Sequence, residues 1–151
     1  MRALLQRTSG ARVRVGDDVV GEIGGGLVIL LGVAPSDSEG TAVAQARTVA
    51  KLRIFRDDAG RTNRSLLDVD GEALVVSQFT LYADTRRGRR PGFTDAAPPD
   101  QAERLYRSFV EALEALGITV STGRFGAEMS VELANDGPFT IWLDSADRGA
   151  T

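Results

Sequence analysis

Polar and apolar positions alternate at the start of this chain and then take up helical spacing, and each change of period marks an element. Met1 to Arg7 reads as a strand, and Ala11 to Val15 and Val19 to Ile23 read as two more flanking Gly16-Asp17-Asp18. The unbroken apolar run Leu27 to Val33 follows Gly24-Gly25-Gly26, so a three-stranded antiparallel opening is expected. The glycine triplet is read as a turn, because a phosphate-binding loop needs a following Lys-Ser or Lys-Thr and a helix, and a strand comes next.

Ser38 through Ile54 then carries Ala42, Val43, Ala46, Val49, Ala50 and Ile54 at helical spacing, with Ser38 available as the cap. After a polar loop, Ala73 to Leu81 is expected to be a buried strand whose far end holds Ser77-Gln78-Phe79-Thr80. Pro98-Pro99-Asp100 precedes a second helix over Gln101 to Leu116, with Leu105, Phe109, Ala112, Leu113 and Leu116 on one face and Gly117 as its stop. Ile118 to Ser121, Ser130 to Leu133 and Phe139 to Leu143 read as closing strands. Gly137-Pro138 lies between the last two, where a plain turn is the local reading and a cis peptide the sharper alternative. The whole reads as one α/β domain: a mixed sheet with two packing helices.

Composition narrows the chemistry. The 151 residues contain no His and no Cys, which excludes imidazole triads, thiol nucleophiles, disulfides and Cys/His zinc sites. Asp and Glu are too scattered to define a metal site. No stretch approaches the roughly 20 apolar residues of a membrane span, and the N-terminus is too short and polar for a signal peptide, so a cytoplasmic location is expected. Without a secretory signal, the Asn63-Arg64-Ser65 glycosylation triplet carries no meaning.

The net charge of −3 argues against a long nucleic-acid track, yet Arg86, Arg87, Arg89 and Arg90 crowd one segment beside Gly88 and Pro91-Gly92. Four guanidiniums there suit a mobile loop that grips phosphates, or a solvated surface loop. Candidate nucleophiles are the hydroxyls of Ser77 and Thr80, but neither has a base beside it in sequence; Asp84, Glu132 and Asp136 are distant activators. On local grounds Ser77 to Thr80 reads as structural.

Ser77-Gln78-Phe79-Thr80-Leu81 with Ala83-Asp84, together with Asn135-Asp136-Gly137-Pro138-Phe139-Thr140, resembles the D-aminoacyl-tRNA deacylases. The similarity runs from Met1 to about Leu143. It includes Gln6-Arg7, Gly21-Glu22-Ile23-Gly24, Leu31-Gly32-Val33, Arg53-Ile54-Phe55, Arg90-Pro91-Gly92-Phe93 and Thr122-Gly123-Arg124-Phe125.

The resemblance implies hydrolysis of the ester joining a D-amino acid, or glycine, to the terminal ribose of tRNA. It implies a mainly antiparallel sheet curled like a barrel, with residues 144–151 as a flexible tail, and a homodimer in which a cis Gly137-Pro138 step enters the partner's pocket. Neither metal nor cofactor is implied. The activated ester and the ribose 2′-hydroxyl make a protein histidine dispensable, leaving positioning and an oxyanion site to the protein.

By match to the motifs, Ser77, Gln78, Phe79 and Thr80 are the catalytic candidates, with the backbone N–H groups of Phe79 and Thr80 as oxyanion donors. Gly137 and Pro138 would select against L substrates by exclusion, since attraction alone separates a methylene by only about 1–3 kcal/mol. Arg7 would hold the Gly-Pro segment, Phe125 and Met129 would wall the terminal adenine, and Arg86, Arg87, Arg89 and Arg90 would contact tRNA. Gly92 and Gly126 depart from the common Ser and Ala and add backbone freedom. Rival readings are a sister deacylase with a trans Gly-Pro step, against which Arg7 beside Gln6 argues, a noncatalytic nucleic-acid-binding module, and a Thr80-dependent esterase.

Overall fold

The computed structural model describes residues 1–148. Its spine is β1 (Arg2–Val15), a strand long enough to serve three neighbours. The N-terminal half of β1 pairs antiparallel with β3 (Gly26–Gly32) and its C-terminal half with β2 (Asp18–Ile23), while β8 (Ser130–Asp144) runs antiparallel along its other edge. The antiparallel opening is therefore as expected, but Met1 to Arg7 and Ala11 to Val15 are one strand. Thr8 bridges the irregularity between them, its hydroxyl bonding Gly10 O and Ala134 O, each at 2.7 Å.

Beyond β3 the sheet becomes parallel, through β6 (Glu72–Ser77) and β7 (Val120–Thr122). A crossover into a parallel strand needs a helix, and α1 (Glu39–Lys51) and α2 (Pro99–Ala115) supply the two crossovers. Ser38 caps α1 as expected, in a reciprocal pair with Thr41: Thr41 N–H donates to Ser38 Oγ at 3.2 Å and Ser38 N–H to Thr41 Oγ1 at 3.1 Å. A small ladder, β4 (Phe55–Arg56) with β5 (Thr62–Arg64), stands apart from the main sheet.

The curl of the sheet follows from burial on both faces. Leu27, Ile29 and Leu31 of β3 and Ala73 and Val75 of β6 face the helices, against Ala46 and Val49 of α1 and Leu105, Phe109 and Leu113 of α2. The alternate residues Val28, Leu74 and Val76 pack with Val13 and Ile23 inside the curl. β7 comes round to β2, where Ser121 Oγ donates to Glu22 O at 3.1 Å. Only glycine fits at Gly21, because an added Cβ would collide with Thr122 O. The result is one mixed α/β domain with a nearly closed, barrel-like sheet.

Two expectations need correction. The buried strand does not run to Leu81: β6 stops at Ser77, and Phe79–Tyr82 is a turn of 3-10 helix. Nor is there a turn between separate strands at Gly137-Pro138, since β8 continues past it. Of the tail expected from 144, Asp144 ends β8 and Ser145–Asp147 forms a short 3-10 turn; residues 149–151 lie outside the described residues.

Candidate functional site

β6 ends where its parallel pairing with β3 runs out. Gln78 N–H still donates to Leu31 O at 2.8 Å, and then the backbone turns, with Leu81 N–H bonding Gln78 O at 3.2 Å. Phe79 and Thr80 open that turn, so their N–H groups are those a helical start leaves without an internal acceptor. Neither donates to another group among the described residues. The Gln78 side-chain amide donates to Thr80 Oγ1.

Beside this turn lies a cleft of about 650 Å³. Ser77, Gln78 and Phe79 form one wall, Phe125, Gly126 and Met129 another, and the segment from Phe93 to Ala102 closes the third side. Phe79 and Phe93, 54% and 38% exposed, meet edge-to-face at 5.0 Å between ring centres and make an apolar lip. Among the lining residues none carries an ionisable side chain. The cleft therefore holds no acid, base or cation, and its polar equipment is hydroxyl, amide and backbone N–H.

The walls are braced from behind. Tyr106 donates from its hydroxyl to Val75 O at 2.7 Å and packs its ring 5.9 Å from that of Phe125, and burial pushes its phenol up to about 12. Arg124 N–H donates to Met129 Sδ at 3.3 Å, fixing the second wall. Of the residues singled out in the sequence, Ser77, Gln78, Phe79, Phe125 and Met129 thus come together. Thr80 is exposed outside the lining.

Gly137, Pro138 and Arg7 stand elsewhere. Along β8, Asp136 to Phe139 bulge outward against the single β1 residue Arg7, because pairing jumps from Thr8↔Asn135 to Gln6↔Thr140. The Gly137-Pro138 peptide is cis and both residues are exposed. Arg7, 4% exposed, anchors the bulge from beneath: Nε donates to Asp136 O at 2.9 Å, Nη1 donates to Ile54 O at 2.7 Å, and the guanidinium lies 4.6 Å from the centre of the Phe139 ring. Asn135 completes the hold by accepting from Phe139 N–H at 2.6 Å. None of these three residues lines the cleft of the same chain.

The arginine segment is a closed loop. Asp84 and Gly92 exchange backbone bonds of 2.7 and 2.9 Å across its base, and the Asp84 carboxylate binds Arg86 through Nε at 2.8 Å and Nη2 at 2.9 Å. That hydrogen bonding holds the Asp84 carboxyl down at about 2. Arg87, Arg89 and Arg90 are exposed and, among the described residues, in no ion pair.

Sequence reasoning missed Phe93, Ala96, Ala97 and Ala102. Phe93 had a signal, an isolated aromatic in a polar loop; the alanines had none, since their contribution is to leave space. A larger hollow of about 840 Å³ opens at the same end of the sheet, beside Ala34 and Tyr82; in it the Met1 amino group pairs with Asp37 at 2.7 Å and Arg2 with Asp144 at 2.9 Å, while Arg148 donates to Thr48 Oγ1 at 3.1 Å. Among the described residues, no helix is long and apolar enough to cross a membrane, and no cluster of acidic side chains is fit to hold a metal ion.

Comparison with known proteins bears on this arrangement. The family model described as D-Tyr-tRNA(Tyr) deacylase matches residues 4–144. A D-aminoacyl-tRNA deacylase of Roseiflexus sp. (strain RS-1) is 65% identical over 97% of this chain and 94% of its own length. One from Thermomicrobium roseum is 60% identical over 97% and 96%. Among solved structures, the c-Myc DNA Unwinding Element Binding Protein superposes with a TM-score of 0.89 at 38% identity, covering 95% of this chain and 98% of that one. A probable eukaryotic D-amino acid tRNA deacylase shares the fold, with a TM-score of 0.85 at 17% identity over 94% and 97%. Identity of this order over nearly every residue, on a fold matched from end to end, means that the chain belongs to the D-Tyr-tRNA(Tyr) deacylase family.

Proposed function

We propose that this protein hydrolyses the ester of D-aminoacyl-tRNA, and of glycyl-tRNA, as a homodimer whose two cleft halves come from different chains. The observation that carries this reading is a cleft of about 650 Å³ without an ionisable side chain, in a member of a deacylase family. Such a cleft suits a substrate that is already activated. An aminoacyl ester needs no protein nucleophile, only a water held in line with its carbonyl and a stabiliser for the charge that develops there.

In this mechanism the 3′-terminal nucleotide enters past the Phe79 and Phe93 lip, and its adenine lies against Phe125 and Met129. Water attacks the ester carbonyl, assisted by the ribose 2′-hydroxyl. The oxyanion is met by the N–H groups of Phe79 and Thr80, where one donor is worth about 3 kcal/mol. Collapse of the tetrahedral intermediate breaks the ester bond; the ribose oxygen takes up the proton that the water gives up, releasing amino acid and tRNA. Thr80 positions Gln78 through their side-chain hydrogen bond and forms no covalent bond with substrate.

The exposed Gly137-Pro138 bulge supplies the missing wall in the partner's cleft, where its carbonyls hold the substrate amino group and its bulk occupies the space an L side chain needs. Glycine has no side chain to exclude and passes. Arg87, Arg89 and Arg90 contact tRNA phosphates, and the work is done in the cytoplasm.

The test is release of amino acid from D-tyrosyl-, L-tyrosyl- and glycyl-tRNA in parallel by metal-depleted protein. Loss of the D and glycyl esters with the L ester intact is expected. Equal decay of D and L esters would sink the chiral reading, and decay of neither would sink the deacylase itself.

A further inference from the structure

A second cationic surface lies outside everything assigned above. The β4–β5 ladder and its flanks carry Arg53, Arg56, Arg61 and Arg64 against Asp57 and Asp58, in a chain whose net charge is −3. Two of these arginines are occupied: Arg53 donates to Asn63 Oδ1 at 3.2 Å, and Arg64 pairs with Asp58 at 3.1 Å. Arg56 and Arg61 are exposed, and their guanidiniums have no ion pair or hydrogen bond among the described residues.

The ladder and its turn fix the backbone that carries these two free cations. Asp57 turns its carboxylate inward, accepting from Ala59 N–H and Arg61 N–H at 2.9 Å each and from Asn63 Nδ2 at 3.3 Å, while its own N–H donates to Arg61 O at 2.8 Å. Those bonds, the Arg61 N–H first among them, hold the carboxylate against the turn and lower its pKa. Arg56 pairs with Thr62, next to Arg61, so the two unmatched arginines stand where the ladder enters its turn over Asp57 to Gly60.

Position gives the surface its meaning. One buried guanidinium, Arg7, bonds Ile54 O at the entry to β4 and Asp136 O at the base of the Gly137-Pro138 bulge. The ladder is therefore stapled to the part of the chain that completes a partner's cleft in the reading above. Unpaired arginines offer the forked donors that phosphate oxygens accept.

We propose that Arg56 and Arg61 on the β4–β5 ladder form a second phosphate contact for the tRNA body, separate from the Arg86 to Arg90 loop. The inference rests on the deacylase reading and adds to it a stem-binding element that the ester chemistry does not use.

The experiment compares wild type with the R56Q/R61Q double variant on two substrates: D-tyrosyl-tRNA, and the D-tyrosyl ester of adenosine, which has the reacting ester but no stem. On tRNA, KM should rise about five- to twentyfold at moderate salt, with kcat within about twofold. The slope of log KM against log salt should fall by about one to two. On the adenosine ester, kcat/KM should stay within about twofold of wild type. The R56K/R61K variant, which keeps both charges, should recover most of the affinity and guards against reading a folding defect as lost binding. An unchanged KM and salt slope on tRNA, an equal loss on both substrates, or no recovery with lysine overturns the inference. Wild type that cleaves neither ester overturns the deacylase reading and this inference together.

Discussion

The cleft at the end of β6 and the Gly137-Pro138 bulge on β8 are opposites. The cleft is a hollow lined by apolar side chains, with two unbonded N–H groups beside it and no charged group in it. The bulge is a promontory of exposed backbone, held by a buried cation and lining no part of its own chain's cleft. Each lacks what the other has. In the proposed dimer, a two-fold axis would present the bulge of each chain to the cleft of the other, twice over.

The strongest way to break that comparison is to spoil one half at a time. At Gly137 φ is +143°, and an added Cβ would lie 2.9 Å from Phe139 N and 3.2 Å from Arg7 Nη2. Gly137→Ala must therefore reshape the bulge, and kcat/KM on a D-ester should fall by about a hundredfold or more through misplacement alone. Ala102→Trp should do the same by filling the cleft. If the halves act between chains, mixing and reannealing these two inactive variants should restore about a quarter of wild-type activity, since half the dimers are then mixed and each has one intact site. No recovery on mixing would mean that cleft and bulge serve the same chain or different purposes.

How far these halves were legible in the sequence differs for a physical reason. The helices were readable because their signals are local: Ser38 at one start, Pro98-Pro99-Asp100 at the other. The end of β6 was not, because what stops the strand at Ser77 is the loss of its partner at Leu31, some 46 positions away in sequence. Gly137-Pro138 misled for a related reason. The dipeptide looks the same in a turn as in a bulge, and only the length of β1, paired with β8 on both sides of Arg7, decides that the strand resumes. The polar end of an apolar strand at Ser77 to Thr80 was visible but read locally as structural, and only the motif match made those residues catalytic candidates, whereas Ala96, Ala97 and Ala102 contribute by being small, which no single sequence announces.

A smaller effect sharpens the account of the cleft. Thr80 lies outside the lining, and its hydroxyl is engaged by the Gln78 side chain, whereas the groups credited with stabilising charge are backbone N–H donors that mutation leaves in place. Thr80→Ala should therefore keep kcat within about tenfold of wild type, a loss suited to positioning and far short of what removing a nucleophile costs. Single-turnover kinetics would measure it; a fall of about a thousandfold or more would restore Thr80 as the attacking group. Gln78→Ala should cost a similar amount if the two side chains act as one unit, and the double variant little more.

The smallest effect concerns the scaffold behind the cleft. Burial raises the Tyr106 phenol from its ordinary value of 10 to about 12, so the folded state holds its proton more tightly than the unfolded chain does. The stability this contributes is complete below the unfolded value near 10 and is lost as pH climbs from there through about 12, a change on the order of 2 kcal/mol. Tyr82 is also shifted upward by burial, so part of the alkaline loss belongs to it. Tyr106→Phe should then cost about 1 kcal/mol at neutral pH, for the hydrogen bond to Val75 O, yet show a shallower decline between pH 9 and 11.5 than wild type. Urea midpoints at the two pH values would measure both. An equally steep decline in the variant would remove Tyr106 from the account. A decline that flattens, with D-ester turnover at pH 7 reduced beyond what the lost stability explains, would assign to Tyr106 the task of holding Phe125 and the end of β6 where the cleft needs them.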